Sequence, residues 1–163
     1  MVASCSWAER ELQHVLQGRA PKSWDRFDGL KVLRTRPFAA VRAAGSHGAD
    51  LTVSRDHRAY TIEVKACHGP TVYFTGASGR AVDQYDELLR EAMLTHNDLL
   101  YAFRRIGQGP WLDGKAPWRL YLAHGTITGI PSMDPKNGRA PVLKWDEGMP
   151  LENWVHHADH SAL

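Results

Sequence analysis

Asp50, Glu63 and Lys65 stand in the spacing D-x12-E-x-K, and Glu9 adds a third carboxylate upstream. In the stretch Tyr60-Thr61-Ile62-Glu63-Val64-Lys65, apolar Tyr60, Ile62 and Val64 alternate with Thr61, Glu63 and Lys65. As a strand, it projects Glu63 and Lys65 from one face. Asp50 opens another strand-like stretch just after a Gly-rich turn, and a hairpin between the two brings Asp50 and Glu63 within reach of one ion. Hard oxygen donors of this kind favour Mg2+ or Mn2+, with the Val64 carbonyl as an additional ligand. A lysine beside the ion orients or helps to deprotonate an attacking water whose pKa the metal lowers. This is the signature of metal-assisted phosphodiester hydrolysis. The same string also arises in a surface hairpin with an Asp cap and a solvent-facing Glu/Lys pair, because polar-out, apolar-in alternation generates it.

The elements that must position these residues follow from periodicity. Residues 7–17 read as an amphipathic helix with Leu12, Val15 and Leu16 as its stripe, extended back by Trp7 or Ala8. Ser6 and Glu9 form a possible capping box, and Gly18 is a stop. Glu9 precedes Leu12 by three residues and Leu16 by seven, so it shares the stripe, and a carboxylate there needs a partner. Residues 19–37 predict a loop with a short helical turn around Trp24–Phe27. Strands are predicted at Phe38–Arg42, Asp50–Ser54, Ala59–Ala66 and Val72–Phe74, with a hairpin turn at 55–58. A helix follows from Arg80 to about His96, then strands at Leu99–Ile106 and Trp118–Ala123. Beyond Ile130 periodicity fades, so residues 1–130 are expected as the functional domain and 131–163 as a loosely packed or partly ordered extension. The order is α/β, a mixed sheet flanked by helices.

The chain has 163 residues, enough for one α/β domain and too few for two ordinary ones. No apolar run approaches a membrane span, and the amino terminus lacks a basic-then-apolar secretory pattern, so the expected location is cytoplasmic (a host's cytoplasm if the source is viral). Cys5 and Cys67 lack metal-type spacing and read as free thiols. Net charge is only +2, but it is uneven: residues 1–80 hold 12 Lys/Arg against 7 Asp/Glu, and residues 81–163 hold 8 against 11. Six basic residues lie within 22–42 (Lys22, Arg26, Lys31, Arg34, Arg36 and Arg42), a field that suits a phosphate backbone or a solvated basic loop equally well.

Three blocks taken together narrow the reading: AERELQHVL, AVRAAGSHGADLTV and YTIEVKACHGPTVYF. In that order and spacing they resemble the amino-terminal half of the archaeal-type Holliday junction resolvases, members of the PD-(D/E)xK nucleases with a restriction-endonuclease-like core. The resemblance covers residues 7–16 and 38–74 well and 80–123 in outline. It implies that Glu9, Asp50 and Glu63 are the acidic metal-site residues and Lys65 the catalytic lysine. It further implies that Arg10 and Arg42 hold DNA phosphates and that Ser46 lies in a turn beside the site. The implied partner is a four-way DNA junction, bound by a homodimer that nicks two opposed strands. Alternatives are another nuclease of this core acting on duplex or flapped DNA, and a DNA-binding protein without activity.

The sequence departs from the family in the longer segment 19–37, in the tail beyond residue 130, and in Ala66-Cys67-His68, where the family carries extra lysines. Trp24 and Phe27 make the first insertion a possible DNA contact or an aromatic-anchored surface loop. Gln84 occupies a place where some related nucleases put a glutamine near the site, while Tyr85 fits the apolar stripe. His47 reads as an exposed turn residue, and His156, His157 and His160 as tail histidines rather than a closed metal site.

Overall fold

The computed structural model describes residues 6–43, 48–74, 80–107, 114–133 and 140–160. Helix α1 (Ser6–Leu16) buries Ala8, Leu12, Val15 and Leu16. It gives way at Gly18, whose φ of 72° suits glycine. Segment 19–37 is more regular than expected: 3-10 turns at Lys22–Arg26 and Val32–Arg34 flank a one-turn helix, α2 (Asp28–Lys31). Strands β1 (Ala39–Arg42), β2 (Leu51–Arg55), β3 (Arg58–Cys67) and β4 (Thr71–Tyr73) follow, then helix α3 (Arg80–Thr95). The chain continues through β5 (Asp98–Arg105), β6 (Trp118–His124), β7 (Val142–Lys144), β8 (Met149–Pro150) and helix α4 (Leu151–His160).

Six strands form one mixed sheet in the order β1-β2-β3-β5-β6-β8, and β4 pairs with β7 in a small second sheet. β3 and β5 are parallel, and the other neighbours are antiparallel. A hairpin cannot close a parallel pair, and α3 lies on the crossover that does. The expected α/β fold, a mixed sheet between helices, is the one observed. β5 buries Leu99 through Phe103 without a break, as a strand covered on both faces must. One apolar core lies between the sheet and α1, α2 and α4. The other lies between the sheet, α3 and the β4–β7 pair.

The hairpin joining β2 and β3 sets the geometry of everything that follows. Asp56 and His57 have φ of 50° and 67°, the pair of positive values that a tight two-residue turn requires. Its register runs from Arg55 opposite Arg58 to Leu51 opposite Ile62. One residue further, the same register sets Asp50 against Glu63. A slip of one residue would turn Glu63 and Lys65 to the opposite face.

The loosely packed tail expected after residue 130 is corrected. Leu151, Trp154 and Val155 of α4 are buried in the same core as α1, with Trp154 stacked on Phe38 at 5.2 Å and edge-on to Tyr60 at 5.5 Å. Each such side chain contributes about 1.5–3 kcal/mol by burial. Segment 19–37 packs against the same helix: α2 contacts α4, and Gly29 approaches Glu152 so closely that a Cβ would collide with it. Segment 19–37 and the carboxy-terminal helix thus cover one another. Trp24 and Phe27 are buried there rather than offered to a ligand. Much of the basic run is spent internally, with Arg34 bound to Asp25, Arg36 to Asp56 and Arg42 to Glu9. Cys67 is a free thiol that donates to the carbonyls of Gly69 and Thr71, and burial pushes its pKa up. Cys5 lies outside the described residues. Among the described residues no helix is long and apolar enough to cross a membrane.

Candidate active site

Pairing of β2 with β3 stops at Leu51–Ile62. The backbone of β3 beyond that point is therefore answered by a side chain: the Val64 N–H donates to Asp50 Oδ2 at 2.7 Å. This bond ties Asp50 to the strand that carries Glu63 and Lys65. A strand residue's N–H and C=O leave by the same edge, so the Val64 carbonyl also faces the side on which β2 has ended.

Glu63 is 1% exposed, and its Oε1 accepts from Lys65 Nζ at 2.7 Å. Its Oε2 is buried and meets no donor among the described residues, while the protonated Glu63 carboxyl has the Asp50 side chain as a neighbour to share a proton with. Burial pushes the Glu63 carboxyl up to about 7; the Lys65 ammonium pulls the other way and the Asp50 charge reinforces the rise. Asp50 is also raised, chiefly by burial; the Val64 N–H opposes this and the Glu9 charge adds to it. Lys65 Nζ donates a second bond, 3.1 Å long, to Gln84 Oε1 on α3. Among the described residues the site thus has two carboxylates, one ammonium, and a buried carboxylate oxygen that no donor meets.

That donor set fits a divalent cation. Hard oxygens come from Asp50 and Glu63, with the Val64 carbonyl on the same side, and raised carboxyl pKa values mark groups that a cation would relieve. Among the described residues no three His, Cys, Asp or Glu side chains converge as a metal-binding group. Two carboxylates with water completing the shell is the usual manner of holding Mg2+.

The other predicted residues are distributed unevenly. Among the described residues Glu9 does not converge with Asp50 and Glu63 into one group; its carboxylate accepts from Arg42 at 2.7 Å, and α1 lies against β1. Its charge still reaches Asp50. Arg42 is partly exposed beside it, and Arg10 is exposed with its Nε donating to the Ser6 carbonyl at 3.3 Å. Ser46 and His47 lie outside the described residues. His156 and His160 stack at 4.1 Å on α4, with His160 Nδ1 against the His156 carbonyl. Gln84, which the sequence marked only weakly, is the residue that α3 brings to Lys65. Its position one step from the apolar stripe distinguishes it from many helix-flank residues in no local way. Glu11, which the sequence did not mark, accepts from Arg104 and from the Trp118 indole, and so ties α1 to β5 and β6.

The sequence matches no family model and no curated protein. Among solved structures it is similar in fold to Hjc of Archaeoglobus fulgidus, a Holliday junction resolvase from an archaeal hyperthermophile. The TM-score is 0.56 at 16% identity, over 94% of this chain and 97% of that one.

Proposed function

We propose that the chain is a metal-dependent, structure-selective endodeoxyribonuclease that resolves four-way DNA junctions by paired nicks. The observation that carries this reading is the pair Asp50 and Glu63, held side by side with the Lys65 ammonium against an unpaired Glu63 oxygen. The fold shared with an archaeal Holliday junction resolvase supports it, as do the sequence blocks in which these residues stand.

Asp50 and Glu63, with the Val64 carbonyl, would hold Mg2+ or Mn2+, which supplies Lewis acidity and a more acidic water. Asp50 is oriented by its bond from the Val64 N–H, which fixes its reach toward Glu63. Lys65, anchored between Glu63 and Gln84, presents its ammonium where the attacking water and the developing phosphorane charge would lie. Glu9 acts through Arg42, holding that guanidinium beside the site as a phosphate contact. Arg10 and Ser46 would extend the backbone contacts. Recognition is by shape and phosphate, and a homodimer would set two sites against opposed strands of the junction.

The test is cleavage of a synthetic four-way junction beside a matched linear duplex, in Mg2+ or in EDTA, with wild type and Asp50→Asn. Paired symmetric nicks on the junction, abolished by EDTA and by the substitution, are expected. Equal cutting of both substrates would remove the junction selectivity and leave a nuclease. No metal-dependent cutting of either would leave a DNA-binding protein.

A further inference from the structure

A row of three polar side chains crosses the sheet beneath α3. Glu63 on β3 is in register with Tyr101 on β5, and Tyr101 with Tyr121 on β6. The two tyrosines differ in what their hydroxyls do. Tyr121 donates to the Lys144 carbonyl at 2.5 Å, closing the end of the β4–β7 pair onto the sheet. The Tyr101 hydroxyl is buried, in a residue 0% exposed, and has no hydrogen-bond partner among the described residues. Its ring is fixed by Phe74 at 5.5 Å and Tyr85 at 6.0 Å, so it has little freedom to seek one elsewhere.

An orphaned buried hydroxyl is unfavourable, and the packing here was free to place a phenylalanine, as it does at Phe103 two residues on. Next to Tyr101 lies the other orphan of this face, Glu63 Oε2. Among the charges that act on the phenol, Glu63 acts most strongly and Asp50 also contributes. A buried donor without an acceptor thus stands in register, on the adjoining strand, with a carboxylate oxygen that no donor meets among the described residues, an arrangement that one bridging water would satisfy.

Resting on the cation-site reading above, we propose that Tyr101 is a positioning residue for Glu63, its hydroxyl donating through one buried water to the oxygen that Glu63 presents to the cation. Groups in this outer position set carboxylate orientation, and their loss commonly weakens metal binding by about 10–100-fold.

The experiment is Mn2+ titration of the full-length protein by calorimetry, with thermal unfolding of the metal-free form, for wild type, Tyr101→Phe and Tyr121→Phe. Tyr101→Phe is expected to weaken Mn2+ binding by about tenfold or more, while its metal-free melting temperature stays level or rises. Its junction cleavage should recover when Mn2+ is raised. Tyr121→Phe should do the reverse, lowering the melting temperature and leaving Mn2+ affinity unchanged. Unchanged affinity in Tyr101→Phe, with wild type binding normally, would overturn the inference alone. So would a loss of affinity matched by a fall in melting temperature like that of Tyr121→Phe. If wild type itself takes up no Mn2+, the cation site falls, and this inference with it.

Discussion

Two charged clusters lie on this sheet, and they are built on opposite principles. In the first, Arg55 is joined to Asp159 of α4 and donates to the Arg36 carbonyl at 2.8 Å, while its guanidinium lies 4.0 Å over the Phe38 ring. Arg36 binds Asp56 of the hairpin turn and reaches Asp159 at 3.5 Å. Two cations answer two anions, and the cluster pins α4 to the β2–β3 turn. In the second, Asp50 and Glu63 face a single lysine and an oxygen is left over. The first cluster is electrically closed and explains stability. The second gathers negative charge inside the fold, which burial disfavours and which a proton or a cation would relieve.

The largest effect that would break this contrast is expected from Glu63→Gln. Junction cleavage should fall by on the order of 10^3-fold, about 4 kcal/mol of transition-state stabilisation, while the metal-free protein keeps or gains melting temperature. A variant that lost stability instead would show Glu63 to be a structural ion-pair member like Asp159.

Arg55→Ala is the counterpart. Leaving the part-buried Asp159 with only its longer contact to Arg36 should lower unfolding free energy by about 3 kcal/mol in urea titration, with kcat of the folded fraction unchanged. A loss of kcat at full folding would join the two clusters functionally.

The pH dependence separates them further. The Glu63 carboxyl is raised from 4.5 to about 7 in the fold, so between those values the folded state binds more protons than the unfolded chain. Metal-free stability should therefore be greatest below 4.5 as far as Glu63 is concerned, and be lost as pH rises through about 7, by on the order of 3 kcal/mol. Saturating Mn2+ should reverse that slope, because the cation binds the ionised form. Unfolding midpoints measured across this window should lose most of that slope in Glu63→Gln, the remainder belonging to the raised Asp50 carboxyl; an unchanged slope would assign it elsewhere.

The smallest effect is expected from Gln84→Ala. Loss of one neutral acceptor on Lys65 is worth about 1 kcal/mol, or roughly a fivefold fall in kcat with KM held. An unchanged rate would leave Glu63 alone to orient the lysine.

How far the site could be read in the chain depended on distance along it. The hairpin, the face shared by Glu63 and Lys65, and the position of Asp50 follow from alternation and a two-residue turn, all within residues 50–65. Helix α4 was missed although it carried a signal: Leu151, Trp154 and Val155 fall at helical spacing directly after Pro150, a residue that favours helix starts. Prolines and charges around it obscured a stretch of only ten residues. Tyr101 had no comparable signal, because within the continuous apolar run of β5 a tyrosine looks like any other core residue.

The sequence by itself determined the α/β order, the hairpin that brings Asp50 toward Glu63, and the face that Glu63 shares with Lys65. Those depend on backbone periodicity and turn geometry, which are local. Only the tertiary structure decided that Glu9 is taken by Arg42, 33 positions away, that Gln84 and Tyr101 border the site, and that the tail covers the insertion. A side chain's partner is set by which distant elements pack against its own, and that choice is made by burial of whole faces rather than by neighbours in the chain.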